Sequence, residues 1–282
     1  MTETATDSVP KTSRAGRNLP AAIAVGLSLG GLILGTVYSP YRWTFIVIVV
    51  AAGAVGTTEI VKALRTLGAQ PPMAPLLVGG TGMVVAAYRY GSTELFLGLA
   101  LTVLGCLVWR LADPAEGILR DLTASVFTAA YVPFLLGFAA LLTVPHDGAD
   151  RITTFVSTVI CSDVGGYAAG VLLGKHPMAP SVSPKKSWEG FAGSTLACAA
   201  GGAIFFVSFF DQPAWQGAVY GLAVVASATL GDLGESMVKR DIGIKDMGTL
   251  LPGHGGLMDR LDSLLPTAPI AWLLLTAFVP IS

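Results

Sequence analysis

Asp232, Glu235, Ser236 and Lys239 recur at i, i+3, i+4 and i+7, the spacing that sets four side chains on one face of a helix. Residues 241–257 follow with Gly243, Gly248, Pro252, Gly253, Gly255 and Gly256 and little apolar bulk, the composition of irregular backbone that other groups can approach closely. Asp259, Arg260 and Asp262 come next. Two acidic clusters thus bracket a glycine-rich segment. Carboxylates gathered this way repel one another unless they are protonated, paired with Lys or Arg, or bridged by a cation. Hard oxygen donors favour magnesium, which commonly takes one or two protein carboxylates and leaves its other positions to water and phosphate. Asp232 and Asp259 are the expected pair. Lys239, Arg240, Lys245 and Arg260 would neutralise a polyphosphate, and backbone amides around His254, Gly255 and Gly256 would approach it. The competing reading is a set of ordinary loop charges that pair with one another.

A second polar constellation lies upstream. Ser162 and Asp163 interrupt an apolar run, and an ionisable group at membrane depth is expected to face a cavity or a partner, the alternative being a capping or inter-helix hydrogen bond. Gly170, Gly174, Lys175, Pro180, Ser183, Pro184, Lys185, Lys186, Ser187, Trp188, Glu189 and Gly190 follow. Snorkelling lysines and an interfacial Trp account for part of this. The crowding of Lys with Ser, Pro and Glu also suits a headgroup or phosphate. Elsewhere, Glu59 with Lys62 reads as a paired or snorkelling group, and Asp113, Glu116, Arg120 and Asp121 read as a solvated loop face. His146 and His176 have no metal-ligand spacing.

The elements that must position these groups are set by composition. Of 282 residues, 53% are hydrophobic and only 12% charged, and mean hydropathy is +0.68. A soluble domain carries about a quarter charged residues, so the expected class is an all-α polytopic membrane protein. Nine apolar runs are read as spans: 19–38, 43–61, 73–88, 95–111, 122–144, 152–173, 191–210, 214–233 and 264–281. With the N-terminus cytoplasmic and the C-terminus on the opposite side, 14 of the 17 Lys and Arg fall on the cytoplasmic side, as the positive-inside tendency requires. If the short third run, with Gly79, Gly80 and Gly82, did not cross, the asymmetry would vanish. Residues 1–18 are expected to be a disordered cytoplasmic tail, 19–144 an N-terminal group of spans, and 145–282 a C-terminal group carrying the chemistry. The first run is too long for a signal-peptide core and is expected to stay. A net charge of −1 argues against a nucleic-acid binder. Cys106, Cys161 and Cys198 lie in apolar runs as packing residues.

Ser236, Lys239, Arg240, Lys245, Asp246, Gly248, Pro252, His254, Gly255, Gly256, Asp259, Arg260 and Asp262 resemble the phosphatidate cytidylyltransferase signature in type and spacing. Asp163, Gly166, Tyr167, Gly170, Gly174 and Lys175, followed by residues 183–190, resemble the same family, with Ser187 standing where Thr is also usual. The resemblance implies an integral membrane enzyme that joins phosphatidic acid and CTP into CDP-diacylglycerol and releases pyrophosphate, requires magnesium, and commonly forms a homodimer. It assigns Asp232 and Asp259 to a metal centre of one cation or two, with Asp163, Glu235, Asp246 and Asp262 completing or supporting it. Lys239, Arg240, Lys245 and Arg260 become phosphate-binding residues. Lys185 and Lys186, with Ser183, Ser236, Gly255 and Gly256, become substrate contacts. A phosphate monoester is already ionised near neutral pH, so His254 is expected to position rather than act as a base. The site would face the cytoplasm from the inner (plasma) membrane, with the lipid entering from the bilayer. Two other readings are a CTP-dependent polyprenol kinase, which would release CDP, and an ion-coupled secondary transporter, which the missing internal repeat disfavours.

Overall fold

The computed structural model describes residues 19–250 and 255–280, so the expected tail, 1–18, and His254 lie outside the described residues. The chain is helical: α1 Leu19–Val37, α2 Trp43–Thr66, α3 Met73–Tyr90, α4 Ser92–Arg110, α5 Ile118–Ala129, a π-helical turn Ala130–Phe134, α6 Leu135–Leu142, α7 Gly148–Leu173, α8 Trp188–Phe210, α9 Ala214–Ile242, α10 Met258–Leu261 and α11 Leu264–Phe278. Among the described residues, seven stretches are long and apolar enough to cross a membrane: Trp43–Thr66, Ser92–Arg110, Ile118–Leu142, Gly148–Leu173, Trp188–Phe210, Ala214–Ile242 and Met258–Phe278. The third expected span does form α3, but that helix is not among the seven. Gly79 and Gly80 are used for packing, whereas Gly82 faces open space. A Cβ at Gly79 would strike Thr102, and Gly98 on α4 admits Met83, so α3 and α4 lie close along their length.

Small residues also draw α7, α8 and α9 together. A Cβ placed on Gly165 would come 2.8 Å from the Gly193 carbonyl oxygen, and one on Gly193 would come 2.7 Å from that of Gly165. Gly202 meets Gly217 in the same backbone-to-backbone way, and Gly221 meets Cys198. Lipid supplies no hydrophobic drive for helix association, so such close approach is what allows dispersion contacts to accumulate. α11 packs against both α9 and α6 and joins the two halves.

Polar ties fix each end of the bundle. At one end, Arg42 donates to the carbonyls of Pro145 (2.7 Å) and His146 (2.5 Å), and the Tyr38 hydroxyl donates to Asp150 (2.7 Å). Arg151, 1% exposed, binds Asp147 at 2.7 Å and donates to the carbonyls of Leu275 (3.1 Å) and Val279 (2.9 Å). Leu275, whose carbonyl also accepts from the Val279 N–H at 3.0 Å, and Val279 close the C-terminal end of α11, where a cation complements the helix dipole. At the other end, Arg110 pairs with Asp121 at 2.9 Å, and Asp121 accepts from the amide of Gln70 at 2.6 Å. Asp121 is therefore a buried tie between the α2–α3 and α4–α5 connections, a correction to the solvated loop face expected for it. Asp113, Glu116 and Arg120 are exposed, as expected.

Candidate active site

α9 continues about two turns past the expected end of its apolar run, because Asp232 through Ile242 keep helical backbone on the polar side of the bundle. Gly243 then takes φ +79, and its N–H and that of Ile244 bond the carbonyls of Arg240 (3.2 Å) and Lys239 (2.9 Å). This is a left-handed glycine stop, which a residue with Cβ would occupy only under strain. The chain turns back there, and the described part of the returning segment begins at Gly255.

Asp259 clasps that loop. One oxygen accepts from Lys239 Nζ at 2.9 Å; the other accepts from the amides of Met247 (3.0 Å) and Gly256 (2.7 Å). Lys239 also reaches Glu235 Oε1 at 3.1 Å, one helical turn back on α9. The side chains are 6%, 14% and 0% exposed for Asp259, Lys239 and Glu235, so this ion-paired chain sits out of water, where charges demand partners. Gly255, at φ +83, passes so close that a Cβ would lie 2.7 Å from Asp259 Oδ2.

Glu59 is the anchor that sequence reasoning missed. It was expected to pair with Lys62 or to snorkel. Its two oxygens instead accept from the amides of Leu257 (3.1 Å) and Met258 (2.9 Å) where α10 begins, and the glycines at 248 and 256 leave room for its carboxylate. A carboxylate on free helical N–H groups is well matched in charge.

Between α7, the start of α8, α9 and Ser263 lies a cleft of about 330 Å³. One wall is a short antiparallel hairpin, β1 Pro177–Ala179 and β2 Ser183–Ser187, in the connection between the sixth and seventh expected spans. β2 carries Ser183, Lys185 and Lys186 to the cleft, and Ser187 caps α8 by accepting from the Gly190 amide at 3.1 Å. Behind the hairpin, Glu189 receives the amides of Lys175 (3.1 Å) and His176 (3.2 Å) and pairs with the His176 ring. The sixth span is not interrupted. α7 runs through Ser162 and Asp163, with the Ser162 carbonyl accepting from Ser194 at 2.6 Å and Asp163 opening onto the cleft. Opposite stands Asp232, whose oxygens meet Lys186 Nζ at 2.6 Å and Ser236 Oγ at 3.4 Å.

Asp163 and Asp262 both lie within electrostatic reach of Asp232, and Glu235 within reach of Asp259 and Asp262. Asp262 also accepts from the Ser263 amide at 2.7 Å. Asp163, Asp232, Glu235, Asp259 and Asp262 therefore lie near one another. Asp232 turns to Lys186 and the cleft, whereas Asp259 turns to Lys239 and the loop. Among the described residues, no three His, Cys, Asp or Glu side chains enclose a metal position. A magnesium ion asks for less, commonly one or two carboxylates. Glu235 Oε2 is buried without a hydrogen-bond partner among the described residues, so the donor set fits a hard cation. Arg240, Lys245, Asp246 and Arg260 occupy exposed positions on α9, the loop and α10, outside the cleft lining. Asp246 lies on a second cavity of about 560 Å³, with Glu59, Lys62 and Gly248.

Residues 20–278 match the cytidylyltransferase family, a stretch that takes in the hairpin, the cleft and both acidic clusters. The chain belongs to the cytidylyltransferase family. Among relatives, it is 48% identical to a phosphatidate cytidylyltransferase of Mycobacterium leprae, over 95% of this chain and 91% of that protein. It is 47% identical to one from Mycobacterium tuberculosis, over 94% and 85%. Identity to one from Helicobacter pylori is 35%, over 75% of each chain. In this cytidylyltransferase the groups that sequence spacing singled out thus gather at one end of a helical membrane bundle.

Proposed function

We propose that this protein makes CDP-diacylglycerol from phosphatidic acid and CTP at the cytoplasmic face of the inner (plasma) membrane. The observation that carries the reading is the cleft in which Lys185, Lys186, Asp163 and Asp232 face one another, beside the Lys239–Asp259 clasp. It supplies cationic and anionic groups together at the end of a membrane-embedded bundle, which is what joining two phosphate-bearing substrates requires. Family membership and the relatives' shared name agree with it.

The reaction joins two anions. An oxygen of the lipid phosphate attacks the α-phosphorus of CTP, a P–O bond forms there, and the bond to the β-phosphate breaks to release pyrophosphate. The phosphate monoester is already an anion, so the site needs no base. Its work is to hold the reacting atoms together and to stabilise the charge passing to the leaving group. Asp232, with Asp163, Glu235, Asp262 and Asp259 as its neighbours, would hold a magnesium ion, with room in the cluster's charge for a second cation. Bound there, it would supply Lewis-acid stabilisation of phosphate charge. With the cation on Asp232, Lys186 would turn from that carboxylate to a phosphate, and Lys185 and Ser183 would add contacts from the same hairpin. Lys239 stays fixed by Glu235 and Asp259 and sets the loop, so that the amides of Gly255 and Gly256 stay in place. Lys245, Arg240 and Arg260 would draw the triphosphate in from solvent. The lipid would enter from the inner leaflet, so its headgroup reaches the cleft while its chains stay in hydrocarbon.

The nine-span arrangement with a cytoplasmic N-terminus, and a homodimer, belong to the same proposal. α1 and α3 would complete the seven longer spans, and the charge asymmetry along the chain supports that orientation. The test is purified protein in detergent with CTP, phosphatidic acid and magnesium. Pyrophosphate and CDP-lipid should accumulate together and stop on chelation. Release of CDP with a phosphorylated alcohol would instead identify a kinase.

A further inference from the structure

The fifth span, within the continuous stretch Ile118–Leu142, contains the π-helical turn Ala130–Phe134, in which Pro133 sits. Proline has no N–H to give, and its ring displaces the preceding carbonyl, so the helix widens by a residue there. π-turns re-aim one side chain, and they occur often at functional sites. Here the residue carried round is Tyr131. Its ring stacks on Phe127, with centroids 5.2 Å apart and planes 12° apart, so its direction is set. Its hydroxyl is buried and has no hydrogen-bond partner among the described residues. It lies within electrostatic reach of Glu235, Asp262 and Asp232, in that order of strength. Glu235 contributes the matching half: Oε1 is held by Lys239 while Oε2, in a side chain 0% exposed, is without a partner. An unfilled donor and an unfilled acceptor, buried beside one cluster, point to an arrangement that closes when the cluster is loaded.

We propose that Tyr131 is a positioning residue, its hydroxyl donating to the free carboxylate oxygen of Glu235 and so orienting the acidic cluster for a divalent cation. The inference rests on the functional reading above and adds a residue from outside both signature stretches. A neutral phenol is suited to this, because it orients the second oxygen without adding positive charge beyond that of Lys239 on Oε1. Outer partners of this sort typically change metal affinity about 10- to 100-fold when removed.

The experiment is manganese binding to the full chain in detergent, followed by electron paramagnetic resonance, without nucleotide or lipid. Tyr131→Phe keeps the stacked ring and removes only the hydroxyl. Tyr220→Phe is the control: Tyr220 is fully buried on α9, but its ring packs on Phe206. The expected result is about tenfold weaker manganese binding in Tyr131→Phe, a parallel rise in the magnesium needed for half-maximal rate, and wild-type values in Tyr220→Phe. Unchanged binding in Tyr131→Phe, in a preparation whose wild type makes CDP-lipid, overturns the inference alone. Equal weakening in both variants also overturns it, since packing would then be the cause. A wild-type chain that makes no CDP-lipid overturns the functional reading first.

Discussion

Asp259 holds three donors on two oxygens, and each belongs to a different part of the site: α9, the outgoing loop and the returning loop. Asp259→Asn preserves the shape but swaps an acceptor oxygen for an amide that must face a donor. Turnover should fall at least about 10²-fold, as when a preorganised charge-stabilising group is lost, while the protein still inserts and purifies. Activity near wild type would contradict the role given to it. Glu59→Gln keeps one acceptor of two at the start of α10. The expected cost is about 1 kcal/mol of stability, as for a lost helix cap, with a larger loss of activity because the loop is unanchored; thermal melts and rates on one preparation separate the two. The face of Asp232, Glu235, Ser236 and Lys239 was legible because helical periodicity puts it there whatever surrounds it. Glu59 was not: its partners lie 198 and 199 positions along the chain, and no local spacing encodes such a contact.

Helices here are joined by small residues and ended by long ones. Gly193→Val places side-chain carbon into the backbone of α7, where the nearest carbonyl oxygen leaves 2.7 Å. It should cost about 1–3 kcal/mol of stability by overpacking and lower activity by moving α8, read as a shift in detergent melting temperature. Arg151→Met removes the hydrogen bonds that close α11 and leaves Asp147 without its arginine. A loss of about 3 kcal/mol is expected, from hydrogen bonds to a charged group worth roughly 1.5–3 kcal/mol each. The concentration dependence on CTP should stay unchanged, because Arg151 lies at the end of the bundle opposite the cleft. Glycine density was legible as close packing, but not which glycines meet. The hairpin of Pro177–Ala179 and Ser183–Ser187 was not legible, since prolines and lysines mask so short a pairing. Pro133 was the one local signal for the π-turn, and an apolar run hides the register change it makes.

At the scale of the molecule, composition made the membrane class plain, because 12% charge cannot clothe a soluble surface. Span count was less legible: among the described residues apolar length marks seven helices, and α3 is a helix in which Gly79 and Gly80 serve packing. The proposed orientation is open to labelling. With Cys106, Cys161 and Cys198 replaced, His146→Cys should react with an impermeant maleimide in intact cells, and Lys175→Cys only after permeabilisation. The reverse pattern would put the cleft on the wrong side for cytoplasmic CTP.

The central proposal is that the cleft joins the α-phosphate of CTP to a lipid phosphate and that Asp232 is needed for it. The most direct measurement gives purified protein phosphatidic acid, magnesium and CTP carrying radioactive phosphorus at either the α or the γ position, and follows the label. The account requires α-label in the lipid product and γ-label in pyrophosphate, with both transfers lost in Asp232→Asn. Label from the γ position appearing in lipid, or α-label entering lipid undiminished in Asp232→Asn, would contradict it.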